Sequence, residues 1–189
     1  MPNEVEIKFL APELAALREK LRTAGFSERT PRTHEMNVLY DLPGQALRSR
    51  GELLRIRKYG DKWTLTHKSP GTTGKHKSRA ETETEVEDGG ALESILRSLG
   101  LDETFRYEKY RSEWSDGEGH VVLDETPIGN VAEIEGPPEW IDAMAEKLGI
   151  SERDYITKSY GQLFEDWKRR TGSTAEQMTF AAVGATPSR

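Results

Sequence analysis

Charged side chains recur at every second position in five separate stretches of this chain. Glu4, Glu6 and Lys8 open the pattern, and Arg55 and Arg57, then Arg79, Glu81, Glu83 and Glu85, then Lys109 and Arg111, then Glu133 and Glu135 repeat it. Successive side chains of a strand point to opposite faces, so each run puts its charges on one face and residues such as Val5, Ile7, Phe9, Leu54 and Ile56 on the other. Carboxylates meeting from different strands hold a hard divalent cation; magnesium or manganese prefers oxygen ligands and keeps waters that a phosphate can replace. Glu4, Glu6, Asp124, Glu133 and Glu135 are the acidic candidates. Arg55, Arg57, Lys68, Arg79, Lys109 and Arg111 are the basic ones, because the arginine fork matches phosphate oxygens and lysine supplies a compact charge. Unit charges ~4 Å apart interact by about 4 kcal/mol at an effective dielectric of 20, so several such contacts grip a polyanion firmly.

The elements that must position these groups follow from local patterns. Pro12 to Gly25 predicts a helix with Leu14, Leu17 and Leu21 at helical spacing. His34 to Tyr40, Leu53 to Tyr59, Lys62 to Lys68 and Arg79 to Val86 predict strands, the middle two joined at Gly60-Asp61. Ser69 to Ser78 reads as a mobile loop, with Lys75 and Lys77 in solvent and only Arg79 entering the next strand. A helix over Gly90 to Gly100 precedes strands at Thr104 to Trp114, His120 to Glu125 and Val131 to Gly136. Pro138 to Leu148 predicts a further helix, Ser151 to about Arg170 a last one, and residues 171–189 a disordered tail after a domain of residues 1–170.

On an open sheet the charged face would carry cross-strand ion pairs worth roughly 0–1 kcal/mol each. The apolar alternate positions and the amphipathic helices argue for the other arrangement, in which helices cover an apolar outer face and the charges line the inside of a closed barrel. Composition narrows the chemistry further. The chain has 189 residues, net charge −6 and no cysteine, which excludes disulfides, thiolate metal sites and cysteine nucleophiles and argues against a nucleic-acid or anionic-membrane surface. No long apolar run is present, so the expectation is a soluble, cytoplasmic protein. His34, His67, His76 and His120 show no metal-ligand spacing, and Ser159 lacks the partners of a serine nucleophile.

The run Glu4-Val5-Glu6-Ile7-Lys8 resembles the E-x-E-x-K signature of the CYTH superfamily, the triphosphate tunnel metalloenzymes. The resemblance continues in order through Leu53-Leu54-Arg55-Ile56-Arg57, Thr64 to Lys68, Arg79 to Glu83, Lys109-Tyr110-Arg111, Leu123-Asp124-Glu125, Glu133 to Gly136 and Lys158-Ser159-Tyr160. It implies an α+β fold: a closed eight-stranded antiparallel barrel with helices outside. It also implies metal bound by Glu4, Glu6, Asp124, Glu133 and Glu135, and phosphate bound by Lys8, Arg55, Arg57, Lys68, Arg79, Lys109, Arg111 and Lys158. Lys8, Arg57 and Lys68 are the expected catalytic cations, with Glu81 and Glu83 orienting basic neighbours, and Lys158 would reach a tunnel mouth from the last helix. The expected cofactor is Mg2+ or Mn2+ and the expected partner a triphosphate-containing small molecule, with no nucleic acid or membrane expected and with surfaces that suit a homodimer. The expected reaction is hydrolysis of a triphosphate; cyclisation of ATP by a class IV adenylyl cyclase and non-catalytic polyphosphate binding are the alternatives.

Overall fold

A strand with one apolar and one charged face leaves two demands on the fold, and rolling the sheet on itself meets both while removing its edges. The computed structural model describes residues 3–187. Its strands are β1 (Asn3–Leu10), β2 (Ser27–Asp41), β3 (Leu53–Tyr59), β4 (Lys62–Lys68), β5 (Thr72–Thr73), β6 (Lys77–Val86), β7 (Asp102–Ser115), β8 (His120–Thr126) and β9 (Gly129–Glu135). Its helices are α1 (Leu14–Thr23), α2 (Ala46–Ser49), α3 (Gly89–Ser98), α4 (Pro138–Leu148), α5 (Tyr160–Thr171) and α6 (Phe180–Val183). The antiparallel order β1-β9-β8-β7-β2-β3-β4-β6 closes where β6 pairs with β1, and the short β5 lies beside the start of β6. The expected eight-stranded α+β barrel is therefore present.

Register puts charged residues opposite charged residues across the strands, most of them of opposite sign. Glu6 faces Glu135 and Lys77, Lys8 faces Glu133, Glu35 faces Lys109, and Arg111 faces Asp124. The β3–β4 register is fixed by a two-residue turn whose Gly60 takes a positive φ of 58°, a conformation glycine adopts at little cost. On the outer face Ile7, Phe9, Val121, Leu123 and Ile134 meet Leu17 and Leu21 of α1 and Ile141, Met144 and Leu148 of α4. Each such buried side chain contributes about 1.5–3 kcal/mol. A second outer cluster seats Leu96 of α3 on Val38, Tyr40 and Ile56.

Four sequence expectations are corrected. The last helix does not start at Ser151: after one 3-10 turn (Glu152–Asp154) the chain is extended, and Ile156 exchanges backbone hydrogen bonds of 2.9 and 2.8 Å with Lys8 on the part of β1 that β6 leaves free. Ser159 and Gln162 then form a capping box, which sets the start of α5 at Tyr160. The stretch after Thr171, expected to be disordered, packs on the barrel. β8 pairs with β7 only from Tyr110 onward, and Met178 fills the vacant edge, donating to Arg106 O at 3.0 Å and accepting from Glu108 N–H at 3.1 Å. Met178 is fully buried, and a Glu108 carboxylate oxygen accepts from Phe180 N–H at 2.8 Å. Residues 188 and 189 of that tail lie outside the described residues. Finally, β6 begins at Lys77 rather than Arg79, and β2 begins at Ser27, with register shifts on both sides of Thr30, next to Pro31, which has no N–H for the ladder.

Candidate active site

The charged faces all point into the barrel and surround a cavity of about 360 Å³. Among the described residues, eight lysine and arginine side chains and seven glutamates line it. Asp124 and Glu35, 0 % and 1 % exposed, lie behind that lining. The cavity is thus close to electrically balanced, and its cations are paired rather than crowded against one another.

The carboxylates fall into two sets. Glu4, Glu6 and Glu135 form the first, with an oxygen of each within 4.8 Å of the others. Burial, and then the neighbouring carboxylates Glu133, Glu6 and Glu4, push the Glu135 carboxyl up to about 8. Burial likewise raises Glu4, against the pull of Lys68. Glu6 behaves oppositely: desolvation would raise it, yet Lys8 at 2.8 Å and the bonded Lys77 hold it down at about 2. Crowded carboxylate oxygens, two of them on side chains whose ionised form the site disfavours, are the donor set a hard divalent cation would neutralise, so these three residues fit magnesium or manganese.

The second set anchors cations. Asp124 accepts from Lys109 Nζ at 2.9 Å, from Arg111 Nε at 2.7 Å and Nη2 at 2.6 Å, and from the Tyr160 hydroxyl. Glu133 bonds Arg111 at 2.6 Å and Lys8 at 3.1 Å, and these cations hold its carboxyl well below the usual range despite burial. Glu35 is held down at about 2 in the same way, burial being outweighed by Lys109 and Arg111. Of the five expected metal ligands, then, the structure brings three together, while Asp124 and Glu133 serve the basic groups.

The basic groups stand where the alternation placed them, with two exceptions. Arg57 and Arg55 come from β3 and bond Glu83 at 2.8 and 3.4 Å; Lys68 comes from β4 and bridges Glu4 at 2.6 Å and Glu81 at 2.5 Å. Glu81 and Glu83 accordingly pair with basic neighbours. Arg79 turns partly away: its guanidinium donates to the backbone oxygens of Ser69, Gly51 and Lys68 and ties down the loop before β6. Lys158 is the clear departure, since it precedes α5 instead of lying within a helix and pairs on the surface with Asp166 at 2.5 Å. Lys77, Glu35, Tyr107 and Tyr160 were not singled out by sequence. Continuing the alternation of β6 back by two positions finds Lys77; Tyr107 carries no signal beyond strand parity, and Tyr160 lies in the matched Lys158-Ser159-Tyr160 stretch without having been given a role.

The CYTH domain model matches residues 2–160. The chain belongs to the CYTH family. CYTH triphosphate tunnel enzymes bind triphosphate substrates and depend on divalent metal. A Methanocaldococcus jannaschii protein named as a candidate adenylate cyclase is 26% identical over 171 residues, covering 85% of this chain and 97% of its own. A Vibrio parahaemolyticus structure, also described as a candidate adenylate cyclase, shares the CYTH fold at TM-score 0.78 and 22% identity, over 86% of this chain and 97% of that one. A Hippeastrum structure, described as a candidate adenylyl cyclase with a dominant triphosphatase activity, is similar at TM-score 0.62 and 18% identity, over 88% and 96% of the two chains. No helix among the described residues is long and apolar enough to cross a membrane.

Proposed function

We propose that this CYTH protein hydrolyses a triphosphate, inorganic tripolyphosphate or an organic triphosphate, with magnesium or manganese held by Glu4, Glu6 and Glu135. The observation that carries the reading is the meeting of those three carboxylates with a paired belt of lysines and arginines in one buried cavity. When bound, the metal supplies activation of the attacking water and neutralisation of phosphate oxygens. Arg55, Arg57, Lys109 and Arg111, with Lys8 and Lys68, hold the phosphates, and their carboxylate partners fix them before the ligand arrives, which lowers the ordering cost of binding. Lys8, Arg57 and Lys68 stabilise the charge that develops on the transferred phosphoryl group. A bare triphosphate would leave this balanced lumen strongly negative, so the metal–triphosphate complex is the ligand that suits it.

The name of the M. jannaschii relative favours the cyclase alternative, in which the ATP 3′-hydroxyl attacks the α-phosphorus. That reaction needs a seat for adenosine at a tunnel mouth. One end of this lumen is filled by the aromatic side chains of α5, and carboxylates surround the other. These features support hydrolysis. Turnover of tripolyphosphate, ATP and thiamine triphosphate, each with magnesium and with manganese, tests the proposal; hydrolysis is expected for at least one, and no turnover of any would refute it.

A further inference from the structure

Two different segments cover one edge of β1. β6 pairs with it as far as Glu6, opposite Lys77, and Ile156 takes over at Lys8. The residues just before each of those contact points reach the same carboxylate. Asp142 of α4 accepts through Oδ1 from the His76 ring at 2.9 Å and from the Tyr155 hydroxyl at 3.3 Å, and its Oδ2 pairs with Lys75 Nζ at 2.9 Å. Lys75 also reaches Glu152 at 3.4 Å, and the His76 and Tyr155 rings lie 6.3 Å apart between centroids. None of these groups lines the charged cavity; they meet on the outside of the barrel.

The two sides of this knot differ in rigidity. Asp142 follows Ile141 on a helix seated on the barrel by Ile141, Met144, Ala145 and Leu148, all buried. The β5–β6 hairpin has no such seat. β5 is two residues long and, among the described residues, pairs only with β6, while β4 does not join β6 until Glu81. Gly71 brings the chain back against β6 so closely that a Cβ there would stand 2.7 Å from Ser78 O. A hairpin this short opens at little cost, so its tip depends on what holds it from outside. At the end of that hairpin Lys77 turns inward, lines the cavity and bonds Glu6.

We propose that Asp142 is a positioning residue for the lumen, acting from outside the barrel wall: by holding His76 and Lys75 it fixes the start of β6 and keeps Lys77 in place against Glu6, beside the phosphates. The inference rests on the triphosphate reading of the lumen. Lys77 then joins Lys8 and Lys68 as a cation whose place is set before the ligand binds, which lowers the ordering cost of binding. Loss of Asp142 frees the hairpin and leaves Lys77 to find its place, so a phosphate chain is held less tightly. The sign separates this from a simple charge effect. Removing a carboxylate would by itself favour a polyanion, whereas releasing Lys77 disfavours it.

The test combines amine labelling with ligand binding on the full chain. Acylation quantified lysine by lysine by mass spectrometry should modify Lys77 at least about tenfold faster in Asp142→Ala than in the wild type, with the buried Lys8 and Lys109 unchanged. The substitution lies on a half-exposed helix position that alanine suits, so Tm should stay within about 4 °C of wild type. Calorimetry with magnesium and tripolyphosphate should show affinity about tenfold weaker in Asp142→Ala, and in a Lys77→Met background the same substitution should cost less than about twofold. Unchanged labelling of Lys77, tighter tripolyphosphate binding in Asp142→Ala, or a loss as large in the Lys77→Met background as in the wild type would overturn the inference. Lys75→Ala combined with His76→Ala breaks the same contacts from the hairpin tip and decides the matter if Asp142→Ala does not fold. Faster labelling of Lys77 in a protein whose wild type binds no tripolyphosphate would refute the triphosphate reading and uphold the pinning of Lys77 by Asp142.

Discussion

Replacing Asp124 by asparagine separates the metal-ligand role the sequence suggested for it from the anchoring of cations that its contacts suit. Asp124 is fully buried and takes three hydrogen bonds from Lys109 and Arg111 at 2.6–2.9 Å and one from Tyr160. Asparagine keeps the shape but removes the charge and can turn a donor toward two cations. Lys109 is left with Glu35 at 3.5 Å, and Arg111 with Glu133 at 2.6 Å. Removing one partner of a buried ion pair costs about 3–5 kcal/mol. For a domain of this size, about 2–4 °C per kcal/mol gives a fall in Tm of roughly 6–20 °C. Tripolyphosphate should recover much of that loss, because phosphate oxygens can take the bonds the carboxylate gave up; its stabilising shift should exceed the wild-type shift. Magnesium affinity by calorimetry should stay within about twofold of wild type. A variant as stable as wild type whose metal affinity has dropped tenfold would show that Asp124 is a metal ligand and that the division of the carboxylates is wrong.

Glu135→Gln should do the reverse: Glu135 stays protonated up to about pH 8, so the neutral amide should leave the metal-free Tm at pH 7 almost unchanged while weakening metal binding at least about tenfold. The same carboxyl fixes a pH dependence. Its folded value lies above its unfolded value, so the folded state holds the extra proton, and the metal-free protein loses stability as pH rises from the ordinary glutamate range toward about 8. Metal binding at pH 7 should then release close to one proton, read by calorimetry in buffers of different ionisation enthalpy; release of none would contradict the raised value. Glu6 and Glu35 act with the opposite sign, both held down at about 2, so the stability they contribute is present above the unfolded range and lost as pH falls toward 2, which denaturant titrations at two acidic pH values should show. Met178→Ala should cost about 2–5 kcal/mol, as truncation of a fully buried methionine does; no change in Tm would mean that the C-terminal stretch is not part of the fold.

The barrel was legible because period-two alternation reports which face a residue occupies without reference to its partners. That one rule placed Glu4, Glu6, Lys8, Arg55, Arg57, Lys109, Arg111 and Glu135 inward. It could not say which carboxylate meets which cation, because closure sets that register: Asp124 and Glu133 look like Glu4 and Glu6 in sequence but stand opposite Arg111 and Lys8. The C-terminal third was the hardest to read for a related reason. Ile156 and Met178 occupy strand edges that exist only because β6 and β8 stop short of their neighbours, and a polar, glycine-containing stretch gives no local sign of such vacancies. Lys158 was misplaced because helical residues around it suggested continuity, whereas the Ser159–Gln162 box restarts the helix after it.

Chromatographic analysis of products from tripolyphosphate and from ATP, with magnesium and with chelator, tests the account most directly. It predicts phosphate and pyrophosphate from tripolyphosphate at a higher kcat/KM than for ATP, and no turnover in chelator. Cyclic AMP as the main product from ATP, with tripolyphosphate acting only as an inhibitor, or undiminished turnover in chelator, would contradict it.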